Sequence, residues 1–443
     1  MPHRYPETHV LYRNLARQYP LVIKGDGCWL YDSEGRRYLD GCGGAFVACL
    51  GHGIAEVVEA MGEQIRRVGY VSGMAFTNEA VEALADELAQ LASGELKHFY
   101  FLSSGSDAIE AALKLARQYW VERGREEKQQ LVAFAPAYHG NTLLALSLGA
   151  REHYKKYFQP WLLEVQRIPA PYSYRCPCRG SDAGCPRCSG RVLEDALLRV
   201  GPENVAAFIG EPVGGSSTGA VVPRPDYWRT IREICDRHEV LWIADEVLVG
   251  AGRTGTWSAL EPYGVAPDLQ VMGKGISAGY APLASVAAPR RIVDVLAAGS
   301  SGLLHAQTYV HSPAMCAAGL AAIRYLRRNG LIARCAALGA VLQEKLQALR
   351  GLPYVGDVRG RGLLAAIEFV EDPESRVPFL REQRFAERFT ASAERAGLMV
   401  WPNTGQADGV NGDLVLLAPP FVITESEIDE LVARFRRALE DVI

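Results

Sequence analysis

Hydrophobic residues follow two rhythms along the first three hundred positions. Short continuous apolar runs occur at 98–102, 131–135, 205–209, 240–244 and 269–272, the pattern of buried strands. Between and around them, apolar residues at three- and four-residue spacing predict helices over 54–68, 78–91, 108–121, 227–238 and 314–327. Such alternation is the mark of an α/β domain built on a mostly parallel, covered sheet. The last third reads differently. It predicts a helix over 332–349, strands near 363–370 and 414–417, and a final helix after Thr424. That helix opens with Thr424 and Glu427 in capping-box spacing and carries a stripe of Ile428, Leu431, Val432, Phe435 and Leu439. A separate small α+β domain is expected there. No internal repeat is visible, and the Cys/Pro/Gly-rich stretch 169–190 reads as a loop or insertion.

At 443 residues the chain has room for two or three domains and a large core. With 49% hydrophobic and 22% charged residues, 44 Gly and 24 Pro, its composition is that of an ordinary globular protein. Lys plus Arg number 47 against 51 Asp plus Glu, a net charge of −4 that leaves no footprint for nucleic acid or an anionic membrane. The longest stretch without Lys, Arg, Asp or Glu, 295–323, is broken by Gly299, His305, Gln307, His311 and Pro313, so no membrane span is expected. Residues 1–20 lack the apolar run of a secretory signal, and a cytoplasmic location is expected. Cys28, Cys42, Cys49, Cys235, Cys316 and Cys335 lie scattered in apolar or Gly-rich surroundings, as buried reduced thiols do.

Three segments can carry chemistry. Ser103-Ser104-Gly105-Ser106-Asp107-Ala108 joins a strand to a helix, and glycine with free N–H groups at a helix start forms an anion site. An ordinary N-cap by Ser104 or Ser106 would look the same. Asp245 and Glu246 end an apolar strand, where open α/β sheets place ligands. Such a carboxylate suits a protonated pyridine nitrogen, a metal, a catalytic acid role or a helix cap. Lys274, between Gly273 and Gly275, ends the next apolar run. Desolvation there makes a lysine a nucleophile toward aldehydes, although a surface turn is the commoner fate of Gly-Lys-Gly. Together, a phosphate-type turn, an acid and a lysine at strand ends are the set that holds pyridoxal phosphate.

On these segments the sequence resembles the class III aminotransferases, also called ω or subgroup II, of the fold type I pyridoxal-phosphate enzymes. The resemblance runs from Gly27-Cys-Trp-Leu-Tyr-Asp32 to Ala418-Pro419-Pro420. It is most specific at Ser104 to Ala108, Tyr138-His139-Gly140, Glu211-Pro212, Asp245-Glu246-Val247, Gly252-Arg253-Thr254-Gly255, Gly273-Lys274-Gly275 and Thr308. It implies a large pyridoxal-phosphate domain over residues 51–310. Residues 311–443 would form the small domain, joined by an N-terminal segment, residues 1–50. It implies Lys274 as the Schiff-base lysine and proton shuttle, and Asp245 as the partner of the ring nitrogen. Gly105 and Ser106 would bind the phosphate together with Thr308 of the partner subunit, in a homodimer or tetramer with shared sites. Tyr138 and Val247 would take the two faces of the ring, with His139 and Glu211 also in the cofactor set. The expected reaction is ping-pong transfer of an amino group from an amine or amino acid, including β and ω ones, to an oxo acid. A racemase or aminomutase on the same fold is the alternative, and a lyase acting on amino-alcohol phosphates a further rival.

The sequence also departs from that family. Arg253 and Arg359 read as loop ties rather than catalytic groups. Glu211 is a gate that the family pairs with a C-terminal arginine, yet no Lys or Arg occurs between Arg395 and Arg434. Leu416 stands where the family's 2-oxoglutarate users carry that arginine, and Leu248 where 4-aminobutyrate enzymes have Gln. Phe46, Trp401 and Leu416 are expected pocket walls, and pyruvate the expected acceptor, unless an arginine elsewhere, such as Arg151, supplies the charge. Cys176, Cys178, Cys185 and Cys188 suggest a zinc site, but the first pair is C-x-C, tighter than usual structural spacing. Thiols without metal are therefore the favoured reading, and no metal is assigned.

Overall fold

The computed structural model describes residues 3–178 and 184–443. Among these, seven strands form a central sheet in the order Leu96–Leu102, Ala284–Pro289, Leu269–Met272, Leu241–Asp245, Val205–Gly210, Gln130–Ala135 and Gln166–Pro169. Ala284–Pro289 runs antiparallel to both neighbours and every other pairing from Leu269–Met272 to the far edge is parallel. The five strands expected from continuous apolar runs are all present, because a sheet covered on both faces selects apolar residues at every position. Helices supply those covers. Gly105–Glu122 turns Ile109, Ala112, Leu113 and Ala116 onto one face, all buried, and each large buried side chain contributes roughly 1.5–3 kcal/mol. On another flank Tyr227–Arg237 lays Trp228 on Trp242, with ring centroids 5.2 Å apart, while the Trp228 indole N–H donates to the Pro212 carbonyl at 2.9 Å.

The C-terminal part contains an antiparallel sheet in the order Val355–Arg361, Leu364–Phe369, Asp413–Leu417 and Trp401–Thr404. Helices Leu331–Gln347, Phe385–Arg395 and Glu425–Glu440 pack with it around Phe369, Phe385, Phe389 and Phe435. The expected capping box closes as drawn from sequence: Glu427 N–H donates to Thr424 Oγ1 at 3.2 Å, and Thr424 N–H to Glu427 Oε2 at 2.9 Å.

Near the N-terminus, Val22–Asp26, Trp29–Asp32 and Arg37–Asp40 form a small sheet that Leu398–Met399 extends in parallel, pairing Leu398 with Leu39. Pro313–Arg328, meanwhile, packs on Ala55–Arg67 and Glu79–Leu91. Two ties bring the C-terminal sheet to the central one. Buried Arg253 donates to the carbonyls of Leu363 at 3.0 Å and Pro419 at 2.6 Å. Arg359 holds the carbonyls of Thr218 and Gly219, each at 2.6 Å. Several strands had no apolar run to announce them. Ala284–Pro289 is built of small residues, and Trp401–Thr404 contains a proline, tolerated because this strand is a sheet edge. No helix among the described residues is long and apolar enough to cross a membrane.

Candidate active site

Four adjacent parallel strands deliver the chemistry at their carboxyl ends. Tyr138, His139 and Gly140 follow Gln130–Ala135, and Glu211 follows Val205–Gly210. Asp245 ends its own strand, and Lys274 lies two residues beyond Leu269–Met272. The turn after Leu96–Leu102 adds Ser104, Gly105 and Ser106. All of these residues, with Val213, Ser216, Val247, Leu248 and Val249, line one cavity of about 190 Å³. Its position outside the carboxyl ends of the strands is where open α/β sheets bind ligands.

Asp245 is buried, and both its oxygens are oriented. His139 Nδ1 lies 2.7 Å from Oδ2, and the Val247 N–H donates to Oδ1 at 3.0 Å. Each oxygen retains a further lone pair for a cationic partner in the cavity. Glu246, its neighbour, points to the other side of the strand end. There Ser258 Oγ, the Ala259 N–H at 2.7 Å and Gln270 Nε2 at 2.9 Å hold it, and burial pushes its carboxyl up to about 7. Of the two carboxylates, Asp245, the one expected from the resemblance, faces the cavity and Glu246 braces the loop behind it.

Lys274 sits in left-handed backbone at φ 42°, a cost for a residue with a Cβ that recurs at functional positions. Its Nζ lies 5.4 Å from the centre of the Phe46 ring. Burial lowers its pKa below the ordinary lysine range, against the opposing pull of Asp245 and Glu211. Neutral amine, the form that attacks an aldehyde, is thus more available at a given pH than for an ordinary lysine.

At the phosphate-type turn the two serines differ. Ser104 is the cap: the Asp107 N–H donates to its Oγ at 3.2 Å. Ser106 Oγ accepts instead from the Asn141 N–H at 3.0 Å, on the rim of the cavity. The glycines are there for closeness. A Cβ on Gly105 would meet Val247 Cγ1 at 2.9 Å, and one on Gly140 would meet Ser106 Oγ at 2.6 Å.

Glu211 accepts from the Gly215 N–H and Ser217 Oγ, each at 3.0 Å, and burial raises its pKa. The wall beside Lys274 is apolar. Phe46 contacts Trp401 with ring centroids 5.3 Å apart, and Leu416 and Leu248 pack in the same cluster. Arg151 stands outside that wall, its guanidinium 5.8 Å from the Tyr138 ring centre and 4.8 Å from that of Tyr154, bonded to Asn403.

A family model, aminotransferase class-III, matches residues 12–439. The chain belongs to the class III aminotransferases. It is 35% identical to a diaminobutyrate–2-oxoglutarate transaminase of Halomonas elongata, over 95% of this chain and 90% of that one. It is 34% identical to a putrescine–pyruvate aminotransferase of Pseudomonas aeruginosa, again over 95% of this chain and 90% of that one. The crystal structure of a thermostable (S)-enantioselective omega-transaminase from Thermomicrobium roseum superposes with a TM-score of 0.90 at 36% identity, covering 98% of this chain and 96% of that one.

As a class III aminotransferase the protein uses pyridoxal 5′-phosphate and acts on an amine and an oxo acid. The residues present fit that cofactor. The long helix Gly105–Glu122 starts at the cavity and offers its N-terminus to a phosphate. Asp245 presents an oriented carboxylate to a pyridinium nitrogen, and Lys274 an amine to the aldehyde. His139 Nε2 is buried with no hydrogen-bond partner among the described residues, so its orienting contact is the one to Asp245.

Of the cofactor residues expected from sequence, Gly105, Ser106, Tyr138, His139, Glu211, Asp245, Val247 and Lys274 all line this cavity. Thr308 does not; it is exposed on its own chain. Beside it, Gln307 Nε2 donates to Ser103 Oγ at 2.8 Å and Asp107 Oδ2 at 2.9 Å. Val213, Ser216 and Val249, which also line the cavity, were missed, since small polar and apolar residues in loops carry no chemical signature. The sulfurs of the four clustered cysteines, the zinc candidates of the sequence, lie within 4.8 Å of one another despite the tight C-x-C.

Proposed function

We propose that this aminotransferase moves the amino group of a primary amine, or of an amino acid whose amino group is distal, to pyruvate. The observation that carries the acceptor is the wall of Phe46, Leu248, Trp401 and Leu416, which offers no cation. A second carboxylate pressed against that wall would lose its water without a charged partner, at a cost of several kcal/mol. Pyruvate has no second carboxylate. The names of relatives do not select the acceptor, since one carries 2-oxoglutarate and another pyruvate.

Bound pyridoxal phosphate supplies an aldehyde that carries the amino group and a ring that takes up electrons. The rest of the chemistry falls to the chain. Gly105, Ser106 and the N-terminus of helix Gly105–Glu122 bind the phosphate, completed in a homodimer by Thr308 of the partner subunit. The Asp245 carboxylate, oriented by His139 and the Val247 N–H, holds the proton on the ring nitrogen. Tyr138 and Val247 fix the plane of the ring. The Lys274 amine moves a proton between the substrate carbon bearing the amino group and C4′ of the cofactor. We assign the N-terminal strands and residues 311–443 to a small domain, and the enzyme to the cytoplasm, where its buried thiols stay reduced.

Initial rates with one amine and each of two oxo acids test this reading. Pyruvate should exceed 2-oxoglutarate at least about tenfold in kcat/KM, or ~1.4 kcal/mol. Equal or better use of 2-oxoglutarate overturns the acceptor assignment. A product formed by isomerisation with no need for an oxo acid would favour a racemase or aminomutase instead.

A further inference from the structure

Among the described residues, one group of ligating side chains comes close enough to hold a metal ion, the cysteine cluster in the segment that follows Gln166–Pro169. Cys176 Sγ lies 3.3 Å from Cys178 Sγ and 3.7 Å from Cys185 Sγ, and Cys178 Sγ lies 3.4 Å from Cys188 Sγ. All the pairs fall within 4.8 Å. These separations are too long for S–S bonds of about 2.05 Å. They match the edge of a sulfur tetrahedron: at a Zn–S distance of about 2.3 Å, neighbouring sulfurs sit roughly 3.8 Å apart. We propose that Cys176, Cys178, Cys185 and Cys188 bind one zinc ion.

The backbone around the cluster is arranged for such a clasp. Cys176 follows the short turn Ser173–Arg175, and Cys185 caps the turn Pro186–Ser189, which carries Cys188. Cys176 and Cys188 are buried, while Cys178 and Cys185 are half-buried. Gly190 ends the second turn in left-handed backbone at φ 86°, and a Cβ there would meet Ile231 Cδ1 at 3.2 Å. The second pair is thereby seated on helix Tyr227–Arg237. The first pair is seated on the C-terminal sheet. Arg175 Nε donates to the buried Glu368 carboxylate at 2.7 Å, and Tyr172 bonds the same group. Arg376 Nη1 donates to the Tyr174 carbonyl at 2.6 Å. An ion held by both pairs would fasten a surface segment to two separate supports at once.

The donor set defines the ion and its role. Four thiolates in a tetrahedral arrangement select zinc or iron over the hard, oxygen-seeking cations. With four protein ligands no coordination position remains open for water or substrate, so the zinc is structural. Its neighbours lead toward the active site. Arg359 bonds Glu368 Oε2 and the Tyr172 hydroxyl, each at 2.8 Å, and also holds the carbonyls of Thr218 and Gly219, next to the Ser217 that supports Glu211. The metal would steady this line of contacts from outside.

The test is elemental analysis of the holoenzyme, purified without added zinc or a metal-chelating resin, alongside native thiol titration. About one zinc per chain is expected, with four thiols shielded until a chelator releases the ion. The C178S/C185S double variant, altered at the two more accessible positions, should lose the zinc while keeping the cofactor's absorption spectrum. C178S alone should weaken zinc retention and open the segment to protease. Zinc near zero in cofactor-loaded enzyme overturns the proposal. So does iron in its place, or stoichiometric zinc that persists in the double variant.

Discussion

Asp245→Asn isolates the charge at the ring nitrogen from the shape of the site. Asp and Asn are nearly isosteric, and the position is buried with two fixed donors, His139 Nδ1 at 2.7 Å and the Val247 N–H at 3.0 Å. An amide has one oxygen and can satisfy only one of them as an acceptor. Its NH₂ can also donate to an unprotonated ring nitrogen, which favours the wrong protonation state. A full charge about 3 Å from the ring nitrogen, at an effective dielectric constant near 20, contributes roughly 5.5 kcal/mol to keeping the proton there. At 1.36 kcal/mol per unit, its removal lowers the pKa of that nitrogen by up to ~4 units. The protonated, electron-withdrawing ring then becomes a minor species, and kcat should fall about 10³- to 10⁴-fold. The assay is the single-turnover half-reaction with an amine, followed spectrally at full cofactor occupancy, with thermal unfolding as the control for fold. A variant with kcat within about tenfold of the parent would refute the role of the Asp245 charge.

Lys274→Ala should leave the fold and phosphate-driven cofactor binding in place and abolish turnover; steady transamination above a trace would remove Lys274 from the mechanism. Gly140→Ala puts a Cβ 2.6 Å from Ser106 Oγ at φ 142°, a strain of about 1–3 kcal/mol. Cofactor titration of the apoenzyme should therefore show a Kd raised roughly 5- to 150-fold, and an unchanged Kd would refute the close packing. Because burial lowers the Lys274 pKa, the rate at which apoenzyme recaptures pyridoxal phosphate should rise with pH as the amine loses its proton. Its midpoint should lie below the ~10.4 of free lysine; a midpoint at or above that value contradicts the desolvated lysine.

Much of this site was legible because its residues are chemically unusual where they stand. A lysine between glycines and an acid closing an apolar strand are conspicuous against the continuous hydrophobic runs that precede them. The sheet that gathers them was legible for the same reason, except at Ala284–Pro289, whose small residues give no strand signal although the strand bonds both neighbours. Residue type did not separate Asp245 from Glu246, and the family resemblance chose Asp245; successive side chains at a strand end point to opposite sides. Only one of the two could face the ligand. At Cys176 to Cys188 the C-x-C spacing gave only separation along the chain and not the turns that bring the four sulfurs together.

Specificity is written in a less readable form. The wall beside Lys274 draws Phe46 from the N-terminal segment, Leu248 from the loop after Asp245, and Trp401 and Leu416 from adjacent C-terminal strands. None of these is unusual in type, and no local spacing connects them; they meet only because the C-terminal sheet is tied to the central one through Arg253 and Arg359. Phe46 adopts left-handed backbone at φ 65° while its side chain is buried, a strain that surrounding structure must hold. Asp40, which accepts from the Gly44 N–H at 2.9 Å and contacts His52 Nε2 at 3.0 Å, braces that turn. On the proposed reading, the central sheet carries the reaction and this wall, drawn mostly from the chain ends, selects the substrate's side chain. Relatives of this chain are named for pyruvate and for 2-oxoglutarate alike, so a wall assembled in this way is where such a difference would have to lie.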